Sequence, residues 1–157
     1  MNRSRMIDIS ESRIGATCAI AGVAFLFGGT FLHPMESDPN DVIAAFSEYA
    51  ADHLWVTSHL MQLTGFVLIV TALLFLAQQI SSMSRWSRIA AGGAITSLTL
   101  GAALQAVDGI ALKTMVDAWA AAPVAQKEVA FRAAFAVRQV EIGLASRYAI
   151  NDDRESQ

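Results

Sequence analysis

Hydrophobic positions along this chain fall in long uninterrupted blocks, not in the alternating or every-third patterns of soluble strands and helices. Residues 14–35, 53–84 and 89–107 carry no formal charge when the histidines are counted as neutral. A membrane-spanning helix needs about 20 mostly apolar residues to cross roughly 30 Å of hydrocarbon, where only an internally bonded backbone survives. Each block reaches that length, and a soluble bundle would break each with polar residues every turn or two. The pattern predicts spans at about 14–32, 55–80 and 89–110. It also predicts an acidic connection over 33–54, a basic loop over 81–88, and polar tails at 1–12 and 151–157. The fold class is therefore all-α: an integral membrane helical bundle of three transmembrane helices over 13–122, with an outer surface helix. A fourth span over 123–150 is the alternative.

The acidic connection carries its own helical pattern. Asp38-Pro39-Asn40-Asp41 reads as an N-cap, a proline at the first helical position and an acid three residues after the cap. Val42, Ala45, Phe46 and Tyr49 then recur at helical spacing, which predicts a short surface helix feeding Trp55. Trp55 suits the aromatic belt where the second span enters lipid, and Trp86 beside Arg85 and Arg88 suits an anchor at the other surface. Trp119 with Met115 and Leu112 reads as a further interfacial face, and Lys113 with Asp117 as a helix-surface ion pair.

Residues 123–150 read as an amphipathic helix. Pro123 suits its start, and Val129, Ala133, Ala136, Val140 and Leu144 form an apolar stripe. Arg132, Arg138, Glu141 and Arg147 are interspersed, each costing about 2.5–3.5 kcal/mol at mid-bilayer, while each Val, Ile, Leu or Phe returns only about 0.3–0.6 kcal/mol. The charges outweigh the apolar gain unless they pair or snorkel, and Glu128–Arg132 and Arg138–Glu141 have helical pairing offsets. The segment is expected to lie on the membrane or against a partner, either another copy or a different membrane protein. Small residues mark the spans for close packing. Gly15, Gly22 and Gly29 repeat along the first, and Gly93, Ser97, Gly101, Gln105 and Asp108 step along one face of the third.

Charge sets the orientation. Arg3, Arg5 and Arg13 precede the first span, the 33–54 connection has no Lys or Arg, and Arg85 and Arg88 follow the second span. That alternation puts the N-terminus and the 81–88 loop in the cytoplasm and the acidic connection outside, in the inner (plasma) membrane. The first block has no convincing small-residue cleavage site, so it is read as a retained helix and not a secretory signal. In composition the chain is 54% hydrophobic and 16% charged, against roughly a quarter charged in typical soluble domains. With a net charge of −3 and no basic cluster, a nucleic-acid partner is not expected. Cys18 is the only cysteine, so no internal disulfide forms, and it lacks the leucine-rich run of a lipoprotein site. No phosphate-binding glycine loop, Cys-x-x-Cys pair or His-Glu-x-x-His helix is present, and no catalytic residue is assigned.

The topology gathers the scattered polar residues. His33 ends the first span, His53 precedes the second, and His59 lies one turn beyond Trp55. Asp108 is about 30 Å along the third span from Arg88. All four are expected at the outer face, with Glu36 and Asp52 close in sequence. Imidazole and carboxylate at one depth suit a transition metal, with His59, Asp108, His33 and His53 as candidate ligands, and two histidines from different helices suit a haem iron. The plainer reading is a wet rim of hydrogen-bonded polar groups. His53 and His59 are six apart, which puts their rings on different faces of one helix.

The series His33-Pro34, Asp38-Pro39, Trp55 with His59, and Asp108-Gly109 resembles a pattern in small multi-pass membrane proteins of bacteria, over about residues 14–145. The resemblance implies a fold and no mechanism. Those proteins continue with further apolar spans after the segment matching Glu141-Ile142-Gly143-Leu144. Here the chain turns polar at Arg147, which suggests that the last spans are lost or replaced by a partner's helices. The leading functional expectation is a small membrane subunit or scaffold, in a homo-oligomer or membrane complex, acting through helix–helix contacts. The alternative is a metal- or haem-binding membrane protein. A transporter is disfavoured, because three or four helices make a path only by oligomerising.

Overall fold

A computed structural model describes residues 3–80 and 85–145. Its helices are α1 (Arg3–Phe31), α2 (Val42–Ala51), α3 (Trp55–Ile80), α4 (Arg85–Ala106), α5 (Lys113–Ala121) and α6 (Lys127–Ala145). A π-helical turn, Val107–Leu112, joins α4 to α5 without a break, a 3-10 turn at Val124–Gln126 leads into α6, and no strand occurs among the described residues. Three helical stretches are long and apolar enough to cross a membrane: Glu11–Phe31, Trp55–Gln79 and Arg85–Ala121, with mean hydropathies of 1.8, 2.3 and 1.4. The fold is all-α.

Three boundaries differ from those the sequence predicts. The polar segment expected as a tail is helical from Arg3, since no proline or glycine interrupts the chain before Gly15. The third stretch does not stop near residue 110 but runs 37 residues to Ala121. At 1.5 Å per residue it is roughly 55 Å long, well beyond a hydrocarbon core of about 30 Å. In the connection the cap of α2 is Asp41, not Asp38, with its side chain accepting from the Ala44 N–H at 3.1 Å. Asp38 instead closes the preceding turn, accepting from the backbone and side-chain nitrogens of Asn40 at 2.9 Å.

The chain folds as two compact units, Met1–Leu32 with Thr57–Ala102, and His33–Val56 with Ala103–Gln157. In the first, glycines bring α1 and α3 backbone to backbone. A Cβ on Gly65 would lie 2.6 Å from the Leu26 nitrogen and 2.7 Å from the Gly22 oxygen, and one on Gly29 would lie 2.6 Å from the Ser58 oxygen. Such distances exclude any side chain, which is how small residues allow helices to associate in lipid. On α4 the stripe is only partly used within the chain. A Cβ on Gly101 would meet the Phe66 ring at 2.6 Å, whereas one on Gly92 or Gly93 would meet nothing.

The second unit has an aromatic core. Phe46 and Tyr49 of α2, Trp55, Leu112, Val116 and Ala134 are buried, with Trp119, Phe131 and Val137 packed against them. Trp55 and the Leu112–Trp119 face are thus interior, not a lipid-facing belt. Their rings find better partners in one another: Phe46 lies 5.9 Å from Trp119 and 5.8 Å from Phe131, within the range that favours tilted aromatic pairs. Trp86, by contrast, is exposed.

α6 packs in this unit through a face other than its alanine–valine stripe. Val129 and Val140 of the alanine–valine stripe are 71% and 55% exposed, while Phe131, Ala134 and Val137 turn inward. Arg138 and Glu141 come with them. Their ion pair, at 3.2 Å, is nearly covered, and Arg138 also donates to the Tyr49 hydroxyl at 3.3 Å. The pairing that a packed charge requires is supplied within the chain, and α6 is not among the stretches fit to span a membrane. Glu128–Arg132 and Lys113–Asp117 also pair, each at 2.7 Å. Lys113 further donates to the carbonyls of Tyr49 and Ala50 at 3.0 and 3.2 Å, placing a cation at the C-terminus of α2. Arg147 and the polar tail at 151–157 lie outside the described residues.

Candidate metal centre

The site begins at Trp55, whose burial fixes everything around it. Its ring centroid lies 4.7 Å from that of His33 and 4.4 Å from that of Tyr49, tilted against both. Its indole N–H donates to the Asp108 carbonyl at 3.2 Å. Asp108 sits in the π-helical turn, so the anchored segment is the one whose helical spacing is widened. Turns of this kind are often found at functional sites. The ligand atoms of His33 and Asp108 lie within 4.8 Å of each other.

His33 is tied to the loop that follows it. Its Nδ1 donates to the Pro34 carbonyl at 2.8 Å. A carbonyl only accepts, so Nδ1 carries the proton and the lone pair of a neutral ring falls on Nε2. The loop that follows is clamped by Glu48 of α2, whose two carboxylate oxygens accept the Glu36 and Ser37 N–H groups, each at 2.9 Å. Burial pushes the Glu48 carboxyl up, but these N–H groups outweigh it and hold the group below the ordinary carboxylate range. Burial raises the Tyr49 hydroxyl, and the nearby Asp108 charge adds to that while Arg138 opposes it.

Of the four sequence candidates, His33 and Asp108 come together within one unit. His53 is exposed in the bend before α3 and does not join them. His59 is only 3% exposed and lies on α3 four residues beyond Trp55, hence on the same helical face. Its Nδ1 is 3.3 Å from the Ser58 hydroxyl. Sequence reasoning missed Trp55 as the hub and Glu48 as the clamp. The only signal for Trp55 was its four-residue spacing to His59, and Glu48 acts twelve residues from its partner.

Chemically, a neutral imidazole with its distal N–H bonded to a backbone carbonyl, beside a carboxylate, has the form of a metal ligand with its outer support. The same pair can hydrogen-bond between two segments without any ion. Comparison of the chain with protein-family models, curated proteins and solved structures gives no match.

Proposed function

We propose that this chain is a small multi-pass protein of the bacterial inner membrane, acting as a membrane subunit or scaffold through helix–helix contacts in a homo-oligomer or membrane complex. Its N-terminus is cytoplasmic, and α2, α5 and α6 form an outer helical module. One observation carries the reading: α4 has no buried residue, and Gly92 and Gly93 open onto empty space. Glycine in a helix costs about 1 kcal/mol relative to alanine. Here the chain gives it nothing to pack against, so a helix of another chain is the natural neighbour. Mass measurement of the purified protein in a mild detergent tests it. An assembly larger than one chain, reduced to monomer by the double change Gly92→Leu and Gly93→Leu, is expected. A monomer at all concentrations with no co-purifying membrane protein would overturn the reading.

A further inference from the structure

We propose that α1, α3 and α4 hold one anionic phospholipid, its acyl chains in two apolar grooves along α3 and its phosphate beside Arg85 and Arg88. The proposal rests on the membrane-spanning reading and is independent of assembly. All of its residues belong to the first compact unit. One groove, of about 380 Å³, runs between α1 and α3, from Ser12 and Gln79 at one end to Val23 and Ile69 at the other. The second, of about 530 Å³, runs between α3 and α4, from Ala77 and Trp86 to Leu73 and Ser97. Leu73 and Leu76 line both, so the grooves share one ridge of α3. Ser12, Gln79, Ser87 and Ser97 supply their only polar side chains besides the Trp86 indole.

Length selects the occupant. Ser12 to Val23 and Trp86 to Ser97 each measure roughly 16 Å along a helix at 1.5 Å per residue. That is half of a hydrocarbon core of about 30 Å, the reach of an acyl chain within its own leaflet. A neighbouring helix would need a groove along the whole span, and these close halfway. The first ends where α1 and α3 touch, a Cβ on Gly65 lying 2.6 Å from the Leu26 nitrogen, and the second where Gly101 meets the Phe66 ring. Gly92 and Gly93 line neither groove, so the face of α4 kept for a neighbouring helix stays open.

Charge selects the headgroup. The whole chain has a net charge of −3, yet this unit carries Arg3, Arg5, Arg13, Arg85 and Arg88 against Asp8 and Glu11 alone. α3 and α4 contain no acid. Arg85 and Arg88 are exposed and flank Trp86 where the second groove begins, and exposed Arg13 follows Ser12 where the first begins. Basic pockets between spanning helices bind anionic headgroups, and an indole suits the same level of the membrane.

Native mass spectrometry of the full-length protein, delipidated in detergent and titrated with palmitoyl-oleoyl phosphatidylglycerol or phosphatidylcholine, tests the site. One phosphatidylglycerol per chain, bound about tenfold or more tightly than phosphatidylcholine, is expected. Arg85→Gln with Arg88→Gln should remove that preference. Ala94→Phe, which fills the second groove, should weaken binding of both lipids, and Arg132→Gln on α6 should change neither. Helical circular dichroism and monodispersity show that each variant is folded, and the arginine pair carries the test if Ala94→Phe does not fold. Equal affinity for the two lipids in the wild type overturns the proposal, as does binding that rises without saturating. So does a phosphatidylglycerol preference that survives in the folded arginine variant. Loss of assembly in Ala94→Phe with lipid binding unchanged would give the groove to a helix and also overturn it. A monomer that prefers phosphatidylglycerol would support the lipid site while overturning the assembly reading.

Discussion

At the scale of single residues, the same amino acid carries opposite consequences in different places. A Cβ on Gly65 would lie 2.6 Å from backbone on α1, and backbone cannot swing aside as a flexible side chain can. Gly65→Ala should destabilise the α1–α3 pair by about 1–3 kcal/mol, the usual cost of overpacking. Gly143 on α6 has open space, so Gly143→Ala should instead stabilise by about 0.5–1 kcal/mol through helix propensity alone. Reversible unfolding in detergent distinguishes the two signs. Glu48 gives a second test at this scale. Its carboxyl is held below the ordinary value near 4.5, so its contribution is fully present above that value and fades as pH falls through the lower, folded value. Wild-type protein should lose stability across this acid window, while Glu48→Gln, which cannot bind both N–H groups as a charge, should be weaker at neutral pH and flatter below it. Equal acid slopes would remove Glu48 as the clamp of the His33 loop. The repeat of Gly15, Gly22 and Gly29 was legible in the sequence because close helix packing leaves no alternative to small residues. Glu48 was not, because a carboxylate gripping a loop looks like any surface acid until the loop is folded over it.

At the scale of elements, the chain shows which helices declare themselves and which do not. α2 was legible from Val42, Ala45, Phe46 and Tyr49, and three of these four are buried. Its cap was misplaced because Asp38 and Asp41 both satisfy the local rule, and only the turn that Asp38 closes decides between them. The inward face of α6 was hidden for a different reason. Read alone, an alanine–valine stripe looks drier than a face with Arg138 and Glu141. Once α2 is present, Phe131 meets Phe46, and Arg138 finds Glu141 and the Tyr49 hydroxyl. Aromatic packing and a paired charge then outweigh simple hydrophobicity. Phe46 lies at the centre of this core and is fully buried. Phe46→Ala should cost about 3–5 kcal/mol, the range for a buried aromatic truncated to alanine. Val129→Ala on the exposed stripe should change stability by under about 0.5 kcal/mol. If Val129→Ala were the costlier change, the assignment of the packed face of α6 would be reversed.

At the scale of the whole molecule, parity ties the packing to the topology. With three spans, the connection carrying α2 and everything after the third span lie on the same side of the membrane. The packing of α2 with α5 and α6 in one unit requires that arrangement. A fourth span would bury α6 in lipid and separate it from the Phe46–Phe131 and Tyr49–Arg138 contacts. The approach of His33 and Asp108 was legible in the sequence, since counting residues along the helices placed both at the same end of the predicted spans. The tryptophan that holds them was not, because a tryptophan at a span boundary is normally read as a lipid anchor. The proposed orientation rests on charge: Arg3, Arg5, Arg13, Arg85 and Arg88 flank the first and second apolar stretches, and the 33–54 connection has no Lys or Arg. In a Cys18→Ala background, Ser47→Cys on α2 and Gln139→Cys on α6 should both react with a membrane-impermeant maleimide in whole cells. Both positions are exposed. Ser82→Cys, close in sequence to Arg85 and Arg88, should react only after lysis. Labelling of Ser47→Cys without Gln139→Cys would put a fourth span back into the fold, and labelling of Ser82→Cys alone would invert the protein and move the His33–Asp108 pair to the cytoplasmic face.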